Sequence, residues 1–545
     1  MKSLIKNSLL VVLALSALVA CRKIENEIAP GYQAKSSQEE RVVEILATTD
    51  LKDVEEMIGK EVLGATGLTI KWVWGGTMDN TEKVMTGQTN ADMAWFANAK
   101  YVLSDPVAKT KVKQQEKIML TPLVVGVFES DVKKMGWSGK TQQLTWSDFA
   151  KKAKTGEFRY AMSNPASSNQ GFTALIGVAS ATAKTGEVLR VEDVNQKVMS
   201  DFLSGYVLRG DNSTYLAEQF VKNQSIDGGP NAFINYESWI LNLNKSGKLK
   251  EKLILFYPKE GVATADYPLL LLNEKKQADY TAITTFLRSN VMQKKLAEIS
   301  LRRPVVQSVF EEVKDNFEKT PELLIEMPFT ATREVSDAIL FSYLNEHRKP
   351  ASSFFVLDVS GSMEGKRIRS LIKAVKDIAG DDKSLTGSLS SLNNREIATM
   401  IPFSGRVGEK HEFVIPSLPT SKDEKLAEIR RFADTLSSGG GTAIFDATLV
   451  ALTAASEKKS SAPNFAYSIV LFTDGENSSG RDLDDFNKAY QKLNSVAKTI
   501  PIFAILYGEG KSEEMKILAD LSGGKVFDAK KTPLSTVFKE IRANQ

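Results

Sequence analysis

The chain carries one cysteine and two histidines among 545 residues, and its 70 Lys and Arg are nearly balanced by 67 Asp and Glu. A single thiol closes no intramolecular disulfide and builds no cysteine-ligated zinc site. With only His347 and His411 present, histidine-rich metal centres and most histidine-centred catalysis drop out. A net charge of +3 spread over this length is too weak for the electrostatic footprint of a nucleic-acid binder. Apolar residues are not scarce: at 42% of the chain they supply large buried cores, and disorder is not the default. At roughly 150 residues per domain the length suggests three or four domains.

Long apolar runs are absent except at the start. Leu9 to Ala20 is nearly all apolar and follows Lys2 and Lys6. That is the pattern of a signal-peptide core, and it falls short of the roughly 20 apolar residues a membrane-spanning helix needs. It ends in Leu18-Val19-Ala20-Cys21, which resembles the lipobox of bacterial lipoproteins. The resemblance implies a signal peptide over 1–20, a diacylglycerol on Cys21, and further acylation by a chain such as palmitate. More than one acyl chain makes membrane attachment stable. The plainer reading is a cleaved secretory signal followed by an incidental thiol. Residues 21–40 are polar and aperiodic, as expected of a tether. Arg22 stands where an Asp would argue for inner-membrane retention in enteric-type sorting, so the expected address is the cell envelope outside the cytoplasm, with the outer membrane favoured.

From Val42 onward short apolar strands alternate with amphipathic helical patterns, the rhythm of a mostly parallel sheet. The reading places strands at 41–48, 67–73, 91–97 and 122–127, helices at 51–65 and 172–181, and a buried strand in Tyr267 to Leu272. This body runs over 41–310. A charged connector with a helix-like end occupies 311–350, and a new α/β unit runs from 351 to 545.

In the second unit, Ser353 to Leu357 is a buried strand running into Asp358-Val359-Ser360-Gly361-Ser362. Gly439-Gly440-Gly441-Thr442 opens a helix over 443–456, and Tyr467 to Thr473 is a strand ending in Asp474-Gly475. In an open α/β sheet these loops collect at the edge where ligands bind. Two carboxylates and three hydroxyls are hard oxygen donors suited to Mg2+, Mn2+ or Ca2+, and an open coordination position would accept a carboxylate from a partner. The same residues also make good helix caps and turns, and the first loop lacks the GxGxxG of a dinucleotide site. The three motifs together resemble a von Willebrand factor type A (VWA) domain with its metal-ion-dependent adhesion site (MIDAS). That resemblance implies a metal set of Asp358, Ser360, Ser362, Thr442 and Asp474, and a Rossmann-like doubly wound fold. It implies further strands at 396–403 and 503–507, and helices at 367–378, 424–436, 483–497 and 534–542.

The first body carries hydroxyl-rich helix starts: Thr48-Thr49-Asp50, Gly75-Gly76-Thr77, and Ser163 to Gly171 (SNPASSNQG). Unpaired N–H groups at such starts face anions or polar solutes. Together with Leu144 to Phe149 and Asn231 to Glu237, they resemble a two-lobed type II periplasmic solute-binding protein. Carried onto this chain, that family's pocket falls on Thr48, Thr49, Gly76, Thr77, Ser167, Ser168, Asn169 and Tyr236; plain helix capping and a vestigial cleft are the alternatives. Trp74, Trp95 and Trp239 suit stacking on a sugar or simple packing.

No Ser/His/Asp or Cys/His arrangement and no phosphate-binding loop is present, so no enzymatic activity is expected. The leading expectation is a lipid-anchored envelope protein whose VWA domain captures an acidic residue of a partner protein through Mg2+. The alternative is the receptor of an ABC importer for a small polar solute, with the VWA domain as a docking element. A chaperone-like subunit of an envelope assembly is a third.

Overall fold

The computed structural model describes residues 41–182, 189–193, 196–317, 326–327, 332–508, 512–532 and 534–544. The expected signal peptide, Cys21 and the tether lie outside them. Three sheets organise the described chain. The first has five strands in the order Leu68–Gly75, Arg41–Thr48, Met93–Trp95, Pro268–Leu271 and Gln114–Lys117. The first three are parallel, and the last two run antiparallel to their neighbours. Arg41–Thr48 alternates little because both faces are covered: Val43, Ile45, Leu46 and Ala47 are all fully buried.

The chain then leaves this lobe through the apolar run expected at 122–127. Strand Met119–Phe128 follows directly after Gln114–Lys117 and enters the second sheet, where Ala232–Tyr236 and Leu253–Phe256 pair with it. Tyr160–Ser163 and Tyr206–Gly210 extend that sheet. The YPLLLL segment returns to the first lobe as the buried strand Pro268–Leu271. Two buried arginines pin these crossings. Arg302 donates to Asp53 at 2.7 and 3.1 Å and to the Asp50 carbonyl at 2.6 Å, while Arg303 grips Glu237 at 2.6 and 2.7 Å.

The third sheet has the order His411–Val414, Ile397–Phe403, Ala351–Asp358, Ala466–Thr473, Ile502–Leu506 and Val526–Asp528, parallel except for its first strand. Apolar clusters fill both of its faces, one beneath the helix Lys366–Lys376 and one beneath Ile444–Ser461. The architecture is thus the expected α/β class: a two-lobed body built on two sheets, followed by a unit with a central, mostly parallel sheet.

Several elements differ in extent from the sequence reading. The helix expected at 51–65 begins as a 3-10 turn over Thr49–Val54 and becomes α-helical only at Glu55–Thr66. It stops where Gly67 takes φ +68°. The helix-like stretch ahead of the third sheet is α-helical over Arg333–Ser342 and loosens into a π turn over Tyr343–His347. The helix expected at 424–436 starts five residues earlier, at Pro419, because proline at the first helical position forfeits no hydrogen bond. The helix expected at 483–497 is two, Leu483–Lys492 and Ser495–Lys498, the second capped by Asn494.

One buried ionic cluster ties these parts together. Glu396, fully buried, accepts from the guanidinium groups of Arg348 and Arg542 and from the Asn393 backbone N–H at 2.8 Å. Removing the central charge of such a cluster strands two buried cations, at a cost of about 3–5 kcal/mol. Glu396→Gln is therefore expected to lower the stability of the VWA unit by that amount in urea unfolding of the full chain. A loss below about 1 kcal/mol would show that the cluster carries little.

Candidate functional site

The metal set expected in the VWA unit sits on loops that bind one another. Ser360 N–H donates to Asp358 Oδ1 at 2.9 Å, and Thr473 Oγ1 donates to Asp358 Oδ2 at 2.7 Å. The hydroxyls of Ser360 and Ser362 lie 3.0 Å apart. The glycine loop is stitched to this turn by Gly361 N–H on the Gly440 carbonyl (2.9 Å) and Gly439 N–H on the Val359 carbonyl (2.8 Å). Thr442 is held from the other side, its N–H donating to Ser478 Oγ at 2.9 Å and its carbonyl accepting from the N–H groups of Ser478 and Ser479. A Cβ on Gly441 would fall 2.3 Å from Ser479 Oγ, so a side chain there would force that hydroxyl to turn away.

Asp358, Ser360, Thr442 and Asp474 are buried, whereas Ser362 is exposed. Two buried carboxylates thus lie under an open rim. Burial pushes the Asp358 carboxyl above its ordinary range; hydrogen bonds from Ser360 and Thr473 oppose that rise and the nearby Asp474 charge adds to it. Such a pair calls for a cation. Arg367, unanticipated from sequence, supplies one: its guanidinium donates to Asp474 Oδ2 at 2.9 Å and to the Ser362 carbonyl at 2.8 Å. No cluster of three or more His, Cys, Asp or Glu suited to a metal occurs among the described residues. The donor set here is two carboxylates and three hydroxyls, which fits a hard divalent cation.

In the first body, the residues expected to hold a solute gather at the junction of the two lobes. The hydroxyls of Thr48 and Thr77 meet at 3.3 Å, and Asn169 donates to the Tyr236 hydroxyl at 2.9 Å. A Cβ on Gly76 would come 3.2 Å from the Ser167 carbonyl, so the lobes already touch there. Most of these groups are engaged internally. Ser167 donates to the Asn164 and Asp211 carbonyls at 3.2 and 3.4 Å, and Ser168 Oγ accepts from Ser163 at 2.9 Å. Thr49 and Gly76 line a 430 Å³ cavity at the cleft mouth with Lys52, Trp74, Asp79 and Ser167. Trp74 stacks on Trp72 at 5.2 Å, while Trp95 is buried and donates to the Tyr267 carbonyl at 2.9 Å. Deeper, Asp50 reaches the Ser213 hydroxyl across the lobes, and burial pushes its carboxyl up to about 6 against the pull of Arg302. The Asn235 side-chain nitrogen beside Ser213 is buried without a partner.

With this geometry in place, the family comparisons define the class. Residues 43–298 match the model of the bacterial extracellular solute-binding protein family, and residues 354–540 match that of the von Willebrand factor type A domain. The chain carries a solute-binding body and a VWA domain in one polypeptide. No curated protein matches it. Solved structures similar to it include the sulfate-binding protein SubI from Mycobacterium tuberculosis, with 17% identity over 54% of this chain and 93% of that one, and a TM-score of 0.39. The periplasmic binding protein AfuA from Actinobacillus pleuropneumoniae shows 12% identity over 56% and 98%, with a TM-score of 0.42. A ferric binding protein from Campylobacter jejuni shows 15% identity over 55% and 96%, with a TM-score of 0.39.

The cleft mouth also has a pH-sensitive group. Burial pushes the Glu540 carboxyl up to about 7, with Asp211 and Asp79 adding to the rise and Lys525 and Lys52 opposing it. In the unfolded chain its pKa is the ordinary 4.5. Between these values the folded state holds more proton, so Glu540 favours folding fully below pH 4.5 and that contribution is lost as pH rises through about 7. Glu540→Gln is expected to flatten this slope and to gain about 1–3 kcal/mol at pH 8, read from urea melts at pH 5 and pH 8. An unchanged slope would remove Glu540 as its source.

Proposed function

We propose that the protein is a lipid-anchored binding protein of the bacterial cell envelope whose VWA domain captures a partner protein through a Mg2+-type adhesion site. The supporting observation is the pair of buried carboxylates, Asp358 and Asp474, beneath the exposed Ser362 hydroxyl. In this reading Asp358, Ser360, Ser362, Thr442 and Asp474 hold the cation, Mg2+ or else Mn2+ or Ca2+, directly or through water. The bound ion supplies an electrophilic position for a carboxylate on the partner. Ser360 and Ser362 are positioned by the turn after strand Ala351–Asp358, and Thr473 aims the Asp358 carboxylate by donating to its far oxygen. Arg367 neutralises Asp474 from the exposed side, a contact with which a bound cation would compete. Both domains serve binding, and no catalytic role is assigned to any residue.

The envelope address and the anchor at Cys21 rest on the lipobox and on the extracellular solute-binding family match. No helix among the described residues is long and apolar enough to cross a membrane. One observation favours the second reading, a receptor that delivers a small polar solute to an ABC importer with the VWA domain as docking element. It is the buried, unpartnered Asn235 nitrogen at the lobe junction, a donor suited to a solute or an ordered water.

Titration calorimetry of Mg2+ into the wild type and Asp358→Ala is expected to show at least tenfold weaker binding in the variant; equal affinities would discard the metal site. Cys21→Ser is expected to move the protein from the membrane fraction to the soluble fraction, and retention in the membrane would discard the lipid anchor.

A further inference from the structure

The C-terminal helix Leu534–Asn544 of the VWA domain lies at the mouth of the solute-binding cleft and contacts both of its lobes. On the first lobe, the Lys539 ammonium pairs with Asp79, in the helix Thr77–Thr86 that opens at the predicted solute loop. Lys539 is only 4% exposed, so its charge depends on a partner that belongs to the other domain. On the second lobe, Lys525 donates to Asp211 at 2.8 Å and stands 3.7 Å over the Tyr215 ring, whose hydroxyl donates to the Gly523 carbonyl at 3.1 Å.

The end of the helix enters the SNPASSNQG loop itself. A helix leaves its last carbonyls without internal partners. Here the side-chain amide of Asn164 donates to two of them, Arg542 O at 3.4 Å and Ala543 O at 3.2 Å. The loop that the sequence reading assigns to solute therefore caps a helix from its own chain. Beside it, Lys531, Thr532, Thr536, Lys539 and Glu540 wall the 430 Å³ cavity opposite Thr49, Lys52 and Trp74.

We propose that the C-terminal segment of the VWA domain is the resident occupant of the solute-binding cleft. It bridges both lobes as a bound solute would, so that access to the cleft and docking of the VWA domain exclude each other. A segment that contacts both lobes holds them at one relative angle, which is the task a ligand performs in hinge-closing binding proteins. The near contact of Gly76 with the Ser167 carbonyl shows the two lobes already touching beside the helix. In this reading a free solute engages both lobes at once only after the VWA domain leaves. This inference depends on neither the metal site nor the lipid anchor.

The test uses the full chain carrying Lys525→Glu and Lys539→Glu, read by amide hydrogen exchange over residues 77–86 and 163–171, with strand 466–473 as the folding control. The double reversal is expected to speed exchange in both cleft segments at least tenfold while 466–473 stays protected. Adding Asp79→Lys and Asp211→Lys, which restores opposite charges, is expected to return exchange to near the wild-type rate. If the reversal also deprotects 466–473, the milder pair Lys525→Met and Lys539→Met is read in its place, with the same tenfold expectation. Unchanged protection of 77–86 and 163–171 with an intact folding control, or a loss that the charge swap does not recover, overturns the proposal.

Discussion

A buried carboxylate between two guanidiniums sets the geometry on which the rest of the molecule depends. Glu396, at the start of an inner strand of the VWA sheet, receives Arg348 from the connector and Arg542 from the last helix. Burial lowers the pKa of Arg542, and the Glu396 charge offsets that loss. Three chain segments far apart in sequence can satisfy one another there only in a single arrangement. The connector arrives at the sheet in a fixed place, and the last helix ends in a fixed place, with its terminal carbonyls against Asn164 of the other domain. Separating these charges would leave each buried without a partner, which is costly.

The VWA sheet thus presents two working regions built by different physics. At the carboxyl ends of its strands, backbone hydrogen bonds between glycine-rich loops collect oxygen donors around a buried acid pair. Along its side, the last helix turns charged residues toward a neighbouring domain. Packing connects the two: the ring of Phe472, two residues before Asp474, lies 5.6 Å from that of Phe538 in the last helix. A strand buried on both faces transmits position well because close-packed interiors deform little.

Much of the fold was legible because its signals are local and repeated. Strand Arg41–Thr48 and the pairing of motif loops with strand ends follow from apolar runs and turn residues, which report burial directly. The oxygen donors of Asp358, Ser360, Ser362, Thr442 and Asp474 were readable as a set because their spacing spans three separate strand and helix junctions. Arg367 was not, since a lysine- and arginine-rich helix start reads as a solvated face until the fold brings it over Asp474. The same holds for Lys539 and Asp79, separated by 460 positions, whose meeting no periodicity encodes. The solute loops show the opposite limit. Their hydroxyls signal polar partners, and sequence does not distinguish a small molecule from a helix end, because both present oxygen acceptors to the same amides.

The connector of residues 311–350 gives this docking a consequence of its own. It ties the VWA domain to the body it covers, so the helix and the cleft meet as parts of one molecule and never dilute apart. Joining two binding surfaces in one chain turns their meeting into an intramolecular event, with an effective concentration that reaches the order of millimolar for short flexible linkers. Individually weak contacts such as Asn164 on the helix carbonyls then suffice to keep the cleft filled. If the helix occupies the cleft as proposed, a solute present at micromolar levels would have to bind the empty cleft far more tightly than the chain's own helix does, and occupancy would begin only above a threshold concentration.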